Sequence, residues 1–121
     1  MPRLSDSEWL VLTALWDSGG AGLGEIAEAL RPATGWSRNT VLTYLTRMEK
    51  KGLVTIDKAL YPHVYRAAPD RDQCRSQERK HLLERMYPGS AGDLVAAFLK
   101  EEPITPEERD RLRKPQDEME V

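Results

Sequence analysis

Residues 36–52 read WSRNTVLTYLTRMEKKG, and the side chains in this stretch that could do chemistry recur at helical spacing. Wound at about 100° per residue, Val41, Tyr44, Leu45 and Met48 gather on one side. The opposite arc carries Asn39, Thr40, Thr43, Thr46, Arg47, Lys50 and Lys51 without a carboxylate, and Glu49 falls off it beside Leu42. Amide, hydroxyls and cations together suit a DNA major groove. Asparagine pairs bidentately with adenine, and threonine offers base edges a hydroxyl and a methyl. Lysine and arginine grip phosphates, which positions a protein without specifying sequence.

A merely solvated arc usually alternates glutamate with lysine in i,i+4 pairs. Here acids are absent from it, and three threonines lower helix propensity, so local helix stability does not explain the composition. The expectation is that Arg38, Asn39, Thr40 and Thr43, near the amino end, read base edges, with Arg38 at the mouth of the groove. Thr46, Arg47, Lys50 and Lys51 lie farther along and are expected on the DNA backbone.

The elements that must hold such a helix can be read on either side of it. LSDSEWLVLTALWDSGG opens with a capping box, Ser5 and Glu8, with Leu4 and Trp9 at the staple positions. Trp9, Leu12, Leu15 and Trp16 then follow helical spacing to Gly19-Gly20. LGEIAEALRP predicts a second helix, with Ile26 and Leu30 inward and Pro32 as its stop; ATG then turns the chain. Ser37 is the expected N-cap of the third helix, with Trp36 and Val41 at its staple positions and Gly52 at C′. Beyond it the period changes to two. Val54 and Ile56 alternate with Thr55 and Asp57, and Val64-Tyr65 resumes after Pro62, so a two-stranded hairpin with its tip near Ala59–His63 is expected. Its tip would bring Lys58, Tyr61 and His63 to the DNA backbone. Three helices and a hairpin are the order of a winged helix-turn-helix domain.

Pro69 reads as a boundary between a DNA-binding domain over 1–69 and a helical dimerisation region over 70–114, with PQDEMEV at 115–121 as a frayed tail. Asp70 and Gln73 open a long helix to about Tyr87, Ser90 and Asp93 cap the next, and Thr105-Pro106-Glu107-Glu108 starts another. Their apolar stripes, Leu82, Leu83 and Met86, then Leu94, Val95, Phe98 and Leu99, can enclose only a thin core by themselves. A second copy of the chain is the expected cover. The fold class is mainly α with a small β-hairpin wing.

Charge is divided along the chain. Its 18 Lys+Arg and 20 Asp+Glu give a net charge of −2. Between Arg38 and Arg66, however, six cations face only Glu49 and Asp57, a local +4 with His63 in reserve, whereas ten cations face thirteen acids after Pro69. Local potential decides what a surface attracts, so the middle of the chain is the electropositive part. No apolar run approaches the roughly 20 residues of a membrane span, and MPRLSDSEW lacks the apolar core of a signal peptide. The lone Cys74 cannot close an intrachain disulfide, and no Cys/His spacing suggests a metal site. A cytoplasmic protein without cofactor is expected.

LSDSEWLVLTALW, WSRNTVLTYLTRMEKKGLV and VYRAAP together resemble the BlaI/MecI/CopY penicillinase-repressor family, from about Leu4 to Arg113. The resemblance implies a homodimeric winged-helix repressor on an operator dyad, with carboxy-terminal helices interlocked across the dimer. In the β-lactam-responsive branch it implies a membrane sensor with a zinc-protease domain, and cleavage within the arm; the matching bond is Ala97–Phe98. The chain departs from the family pattern where Arg38 takes the place of a proline, and where Asn39 and Leu42 stand at positions often basic. Ala97 occupies the place of a usual asparagine. The paired Cys-x-Cys endings of the copper-responsive branch are absent.

Two other classes are weighed against this. An enzyme finds little support, because His63 and His81 fall on a predicted wing and a predicted arm helix without a nucleophile, phosphate loop or ligand cluster. A winged helix used as a protein-interaction module, or a regulator responding through the Cys74 thiol, is the alternative.

Overall fold

Ser5 opens the first helix by bonding in both directions. Its hydroxyl accepts from the Glu8 backbone N–H at 3.1 Å, and its own N–H donates to Glu8 Oε1 at 2.9 Å, so two orphan donors of the first turn are satisfied. The computed structural model describes residues 3–119, with side chains through residue 113. In it α1 (Asp6–Ser18), α2 (Leu23–Thr34) and α3 (Arg38–Lys50) precede β1 (Val54–Asp57) and β2 (Val64–Ala67). Three further helices follow: α4 (Arg71–Met86), α5 (Ala91–Glu101) and α6 (Pro106–Met119). This is the mainly α, winged helix-turn-helix class expected.

Strands β1 and β2 pair antiparallel in the register Val54↔Ala67, Thr55↔Arg66, Ile56↔Tyr65 and Asp57↔Val64. Ala21 adds a one-residue third strand: its N–H donates to the Tyr65 carbonyl at 3.0 Å and its carbonyl accepts from the Tyr65 N–H at 2.8 Å. The run GGAG carries no periodicity, so this pairing has no signal in the sequence. It ties the hairpin to the α1–α2 connection.

The core of this part draws one stripe from each helix: Val11, Leu12 and Leu15; Ile26, Ala27 and Leu30; Val41, Leu45 and Met48. Leu53, Val54 and Tyr65 close it from the wing. Of the four α1 residues read at helical spacing, Leu12 and Leu15 are fully buried and Trp16 packs against the margin of the core. Trp9 and Trp16 are only half-buried and meet edge-on at 5.9 Å, while Val11 is fully buried. Pro32 does not stop α2, which continues through Ala33 and Thr34 to Gly35 in the left-handed conformation. The proline ring sits on the exposed face, where water can serve the carbonyl whose partner it removes. The Thr34 hydroxyl donates to the Leu30 carbonyl at 2.7 Å, so the turn assigned to ATG falls to the glycine alone.

Two compact units divide the chain, Met1–Glu78 and Arg79–Val121. The division comes nine residues after Pro69 because the first turns of α4 belong to the winged-helix body. Trp16 Nε1 donates to the Pro69 carbonyl at 3.1 Å. The Arg71 guanidinium lies 5.6 Å from a Trp16 ring centre and donates to Asp17 at 2.9 Å. Cys74 is buried, and Arg3 reaches Glu78 at 3.6 Å. In the second unit α5 buries no residue. The segment read as a frayed tail is helical as far as Met119, as its Gln, Glu and Met favour; Glu120 and Val121 lie outside the described residues.

Candidate nucleic-acid interface

Both ends of α3 are built from local sequence. The Ser37 hydroxyl accepts from the Thr40 N–H at 3.2 Å. At the far end Gly52 has φ +79°, its N–H donates to the Glu49 carbonyl, and the Leu53 N–H donates to the Met48 carbonyl, each at 2.9 Å. That pair of bonds is a Schellman motif, and Leu53 and Met48 supply the apolar contact that accompanies it. Trp36 stacks on Tyr44 with ring centres 4.6 Å apart, bracing the entry to the helix. With Val41, Leu45 and Met48 buried, the rotation of α3 is set, and Asn39, Thr43, Thr46, Arg47 and Lys50 face solvent together.

The polar arc is therefore displayed, with differences in how its members are held. The Thr43 hydroxyl donates to the Asn39 carbonyl at 3.0 Å, and that of Thr46 to the Leu42 carbonyl at 2.9 Å. Thr40 is half-buried, its hydroxyl 3.1 Å from that of Ser37. The first turn holds no acid and begins with Arg38, while Arg47 and Lys50 sit in the last. A cation at a helix amino end opposes the helix dipole, so the placement costs local stability and raises the attraction for an anion.

Arg38 departs from the arc. Its guanidinium lies against Gly24, where an added Cβ would stand 3.4 Å from Nη2. It lines a cleft of about 530 Å³ with Gly22, the first turn of α2 and Tyr61, Pro62, His63 and Tyr65 of the hairpin. Lys51 departs as well. Its ammonium is 2.9 Å from Glu8 Oε2, an ion pair joining the end of α3 to the start of α1. Burial would raise the pKa of the Glu8 carboxyl, but the Ser5 backbone N–H, the Lys51 ammonium and the Ser5 hydroxyl outweigh it, and the net shift is downward. Residue spacing could not reveal this pair, because its partners are 43 residues apart. On the hairpin Lys58, Tyr61 and His63 are exposed, Tyr61 at 97%. Asp57 is occupied locally, accepting from the Ala59 N–H at 3.1 Å and lying 3.6 Å from Arg66.

The residues expected in the arm are placed differently. Leu82, Leu83 and Leu94 are half-buried, whereas Met86, Val95, Phe98 and Leu99 are exposed, joined in the same unit by Ile104 and Leu112. The Ala97–Phe98 bond lies inside α5. Burial, then the charge of Asp70, push the Cys74 thiol pKa up, which disfavours the reactive thiolate. Among the described residues no group of His, Cys, Asp and Glu could hold a metal, and no helix is long and apolar enough to cross a membrane.

The chain is similar in sequence to the penicillinase repressor of Bacillus licheniformis, 28% identical over 112 residues, 93% of this chain and 88% of that protein. It is 26% identical over 111 residues to the methicillin resistance regulatory protein MecI of Mammaliicoccus sciuri, 92% of this chain and 90% of that one. In fold it is similar to a MarR family protein from Bacillus stearothermophilus, with a TM-score of 0.52 at 17% identity, covering 99% of this chain and 78% of that one. Residues 4–118 match the profile of the penicillinase repressor family, and with that match the chain belongs to a family of DNA-binding transcriptional repressors rather than of enzymes.

Proposed function

We propose that this chain is a cytoplasmic, homodimeric repressor whose two α3 helices enter successive major grooves of a palindromic operator. The observation that carries the reading is the exposed, carboxylate-free arc of α3. Asn39, Thr40 and Thr43 face base edges, and Arg47 and Lys50 lie along the phosphates; Thr46, whose hydroxyl proton is committed to the Leu42 carbonyl, has none to give a phosphate and faces the groove. Arg38, in its cleft with Tyr61 and His63, suits the flanking backbone better than a base edge, and Lys58 joins it from the hairpin. Lys51 supports the interface by holding α3 to α1. The exposed apolar residues Met86, Val95, Phe98 and Leu99, with the half-buried Leu82, Leu83 and Leu94, are the groups that a second copy covers. Half-sites one helical turn or a multiple apart then fall to the two reading helices.

Release follows cleavage of the arm at Ala97–Phe98 by a membrane-sensor protease system. That bond is helical, so cutting it requires α5 to unwind locally. A fragment beginning at Phe98 in induced cells is the expected product.

Gel shifts on genomic fragments over a salt series test the DNA reading. Affinity is expected to fall linearly on a log–log plot, with about −0.9 in slope per phosphate neutralised. Lys50→Ala should flatten that slope by about one unit while leaving sequence preference alone. An unchanged slope removes the phosphate role, and absence of binding at low salt favours a protein-interaction module.

A further inference from the structure

Leu42 does not match the chemistry of its neighbours on α3. It is a large aliphatic side chain, 36% exposed, outside the buried core. A single exposed leucine is ordinary on a protein surface, so the argument turns on what surrounds it. At about 100° per residue, Leu42, Thr46, Asn39 and Thr43 fall within roughly a 100° sector, and Leu42 forms its edge.

The hydroxyls in that sector are turned back on the helix. Thr43 donates to the Asn39 carbonyl and Thr46 to the Leu42 carbonyl. With those protons committed, each threonine offers the groove a methyl group and an acceptor oxygen, with no donor. Leu42 adds an isobutyl group beside Thr46, about 40° away around the helix. Over the first two turns that sector presents Leu42 and Thr46 on one side of an amide, Asn39, and Thr43 on the other, with the Lys50 cation farther along the helix. It is less polar than a count of hydroxyls suggests.

Ordinary base pairs present one apolar group in the major groove, the 5-methyl of thymine. A guanine or cytosine edge against the leucine would lose water from its polar atoms without gaining a partner. We propose that Leu42 is a specificity-determining residue, which packs with the Thr46 methyl on thymine methyl groups of the operator half-site. The inference rests on α3 entering the major groove. It adds that the half-site is selected by shape and methyl contact on one side of the Asn39-read base.

The test starts from duplexes enriched by the full-length native protein from a random-sequence library, measured by fluorescence anisotropy. Each half-site thymine is then replaced in turn by deoxyuridine, which removes only the methyl. Native protein should lose about fourfold in affinity at one or two positions, the scale of one buried methyl. Leu42→Ala should bind thymine and deoxyuridine duplexes within about twofold of each other at those positions, and Leu42→Met should retain the difference. Circular dichroism melting of both variants confirms that α3 is formed, and the deoxyuridine series on native protein needs no variant. Equal native affinity for every duplex of the series overturns the inference and leaves DNA binding intact. An undiminished deoxyuridine penalty in Leu42→Ala overturns the role of Leu42. Failure of the native protein to enrich any duplex overturns both DNA reading and inference.

Discussion

The two units of this chain spend their apolar residues in opposite ways. In Met1–Glu78 every helix of the winged fold turns its stripe inward, and Leu12, Val41 and Leu45 reach 0% exposure. In Arg79–Val121 stripes of similar spacing stay open to solvent, with Phe98 53% exposed and α5 burying nothing. Three short helices cannot surround a core of useful size, so their apolar groups have value only against another surface. One unit carries its own stability. The other, on the proposed reading, carries the capacity to associate.

The largest expected effect tests the first half of that contrast. Leu45→Ala removes a fully buried side chain on the inner face of α3, and should cost about 2–5 kcal/mol of unfolding free energy in denaturant melts. DNA affinity should fall with it, because the same side chain sets the rotation of the polar arc. A cost under about 1 kcal/mol would mean the body is not packed around α3.

The corresponding truncation in the arm should behave differently. Phe98→Ala is expected to weaken self-association about tenfold, or roughly 1.4 kcal/mol, in sedimentation experiments. At concentrations where both proteins are monomeric, the melting of the body should be unchanged. A Phe98→Ala monomer destabilised as much as Leu45→Ala would show that the second unit has a core of its own.

A smaller effect concerns the ion pair that secures α3 to α1. The Glu8 carboxyl has its folded-state pKa lowered from an ordinary value of 4.5. Its contribution is therefore complete above that value and is lost as pH falls through the lower, folded-state pKa. Glu8→Gln should cost about 1 kcal/mol at neutral pH, and the gap from the native protein should close as acid is added below pH 4.5. A gap independent of pH would mean that the loss does not come from the Glu8 charge.

Much of this arrangement is written locally. Ser5 with Glu8, Ser37, Ser90 and Thr105 each cap a helix where residue type and spacing place them, because capping is decided within four residues. The hairpin register follows from alternation, and the arc of α3 from period. What spacing left unread or misread has a common origin. Val11 in the core, Pro32 carried on the exposed face of α2 and Ala21 beside Tyr65 all depend on which face meets a distant element. The candidate interface shows the same division. Asn39, Thr43, Thr46, Arg47 and Lys50 were legible from spacing, whereas the diversion of Arg38 to its cleft and of Lys51 to Glu8 was not.

The amino-acid sequence by itself determined the order of the main helices and the hairpin, the caps that open them and the composition of the polar face of α3, because those depend on interactions a few residues apart. Only the tertiary structure decided which cations remain available to a ligand and where the winged-helix body ends. Both depend on contacts between residues tens of positions apart, such as Lys51 with Glu8 and Arg71 with Asp17, and no local pattern encodes them.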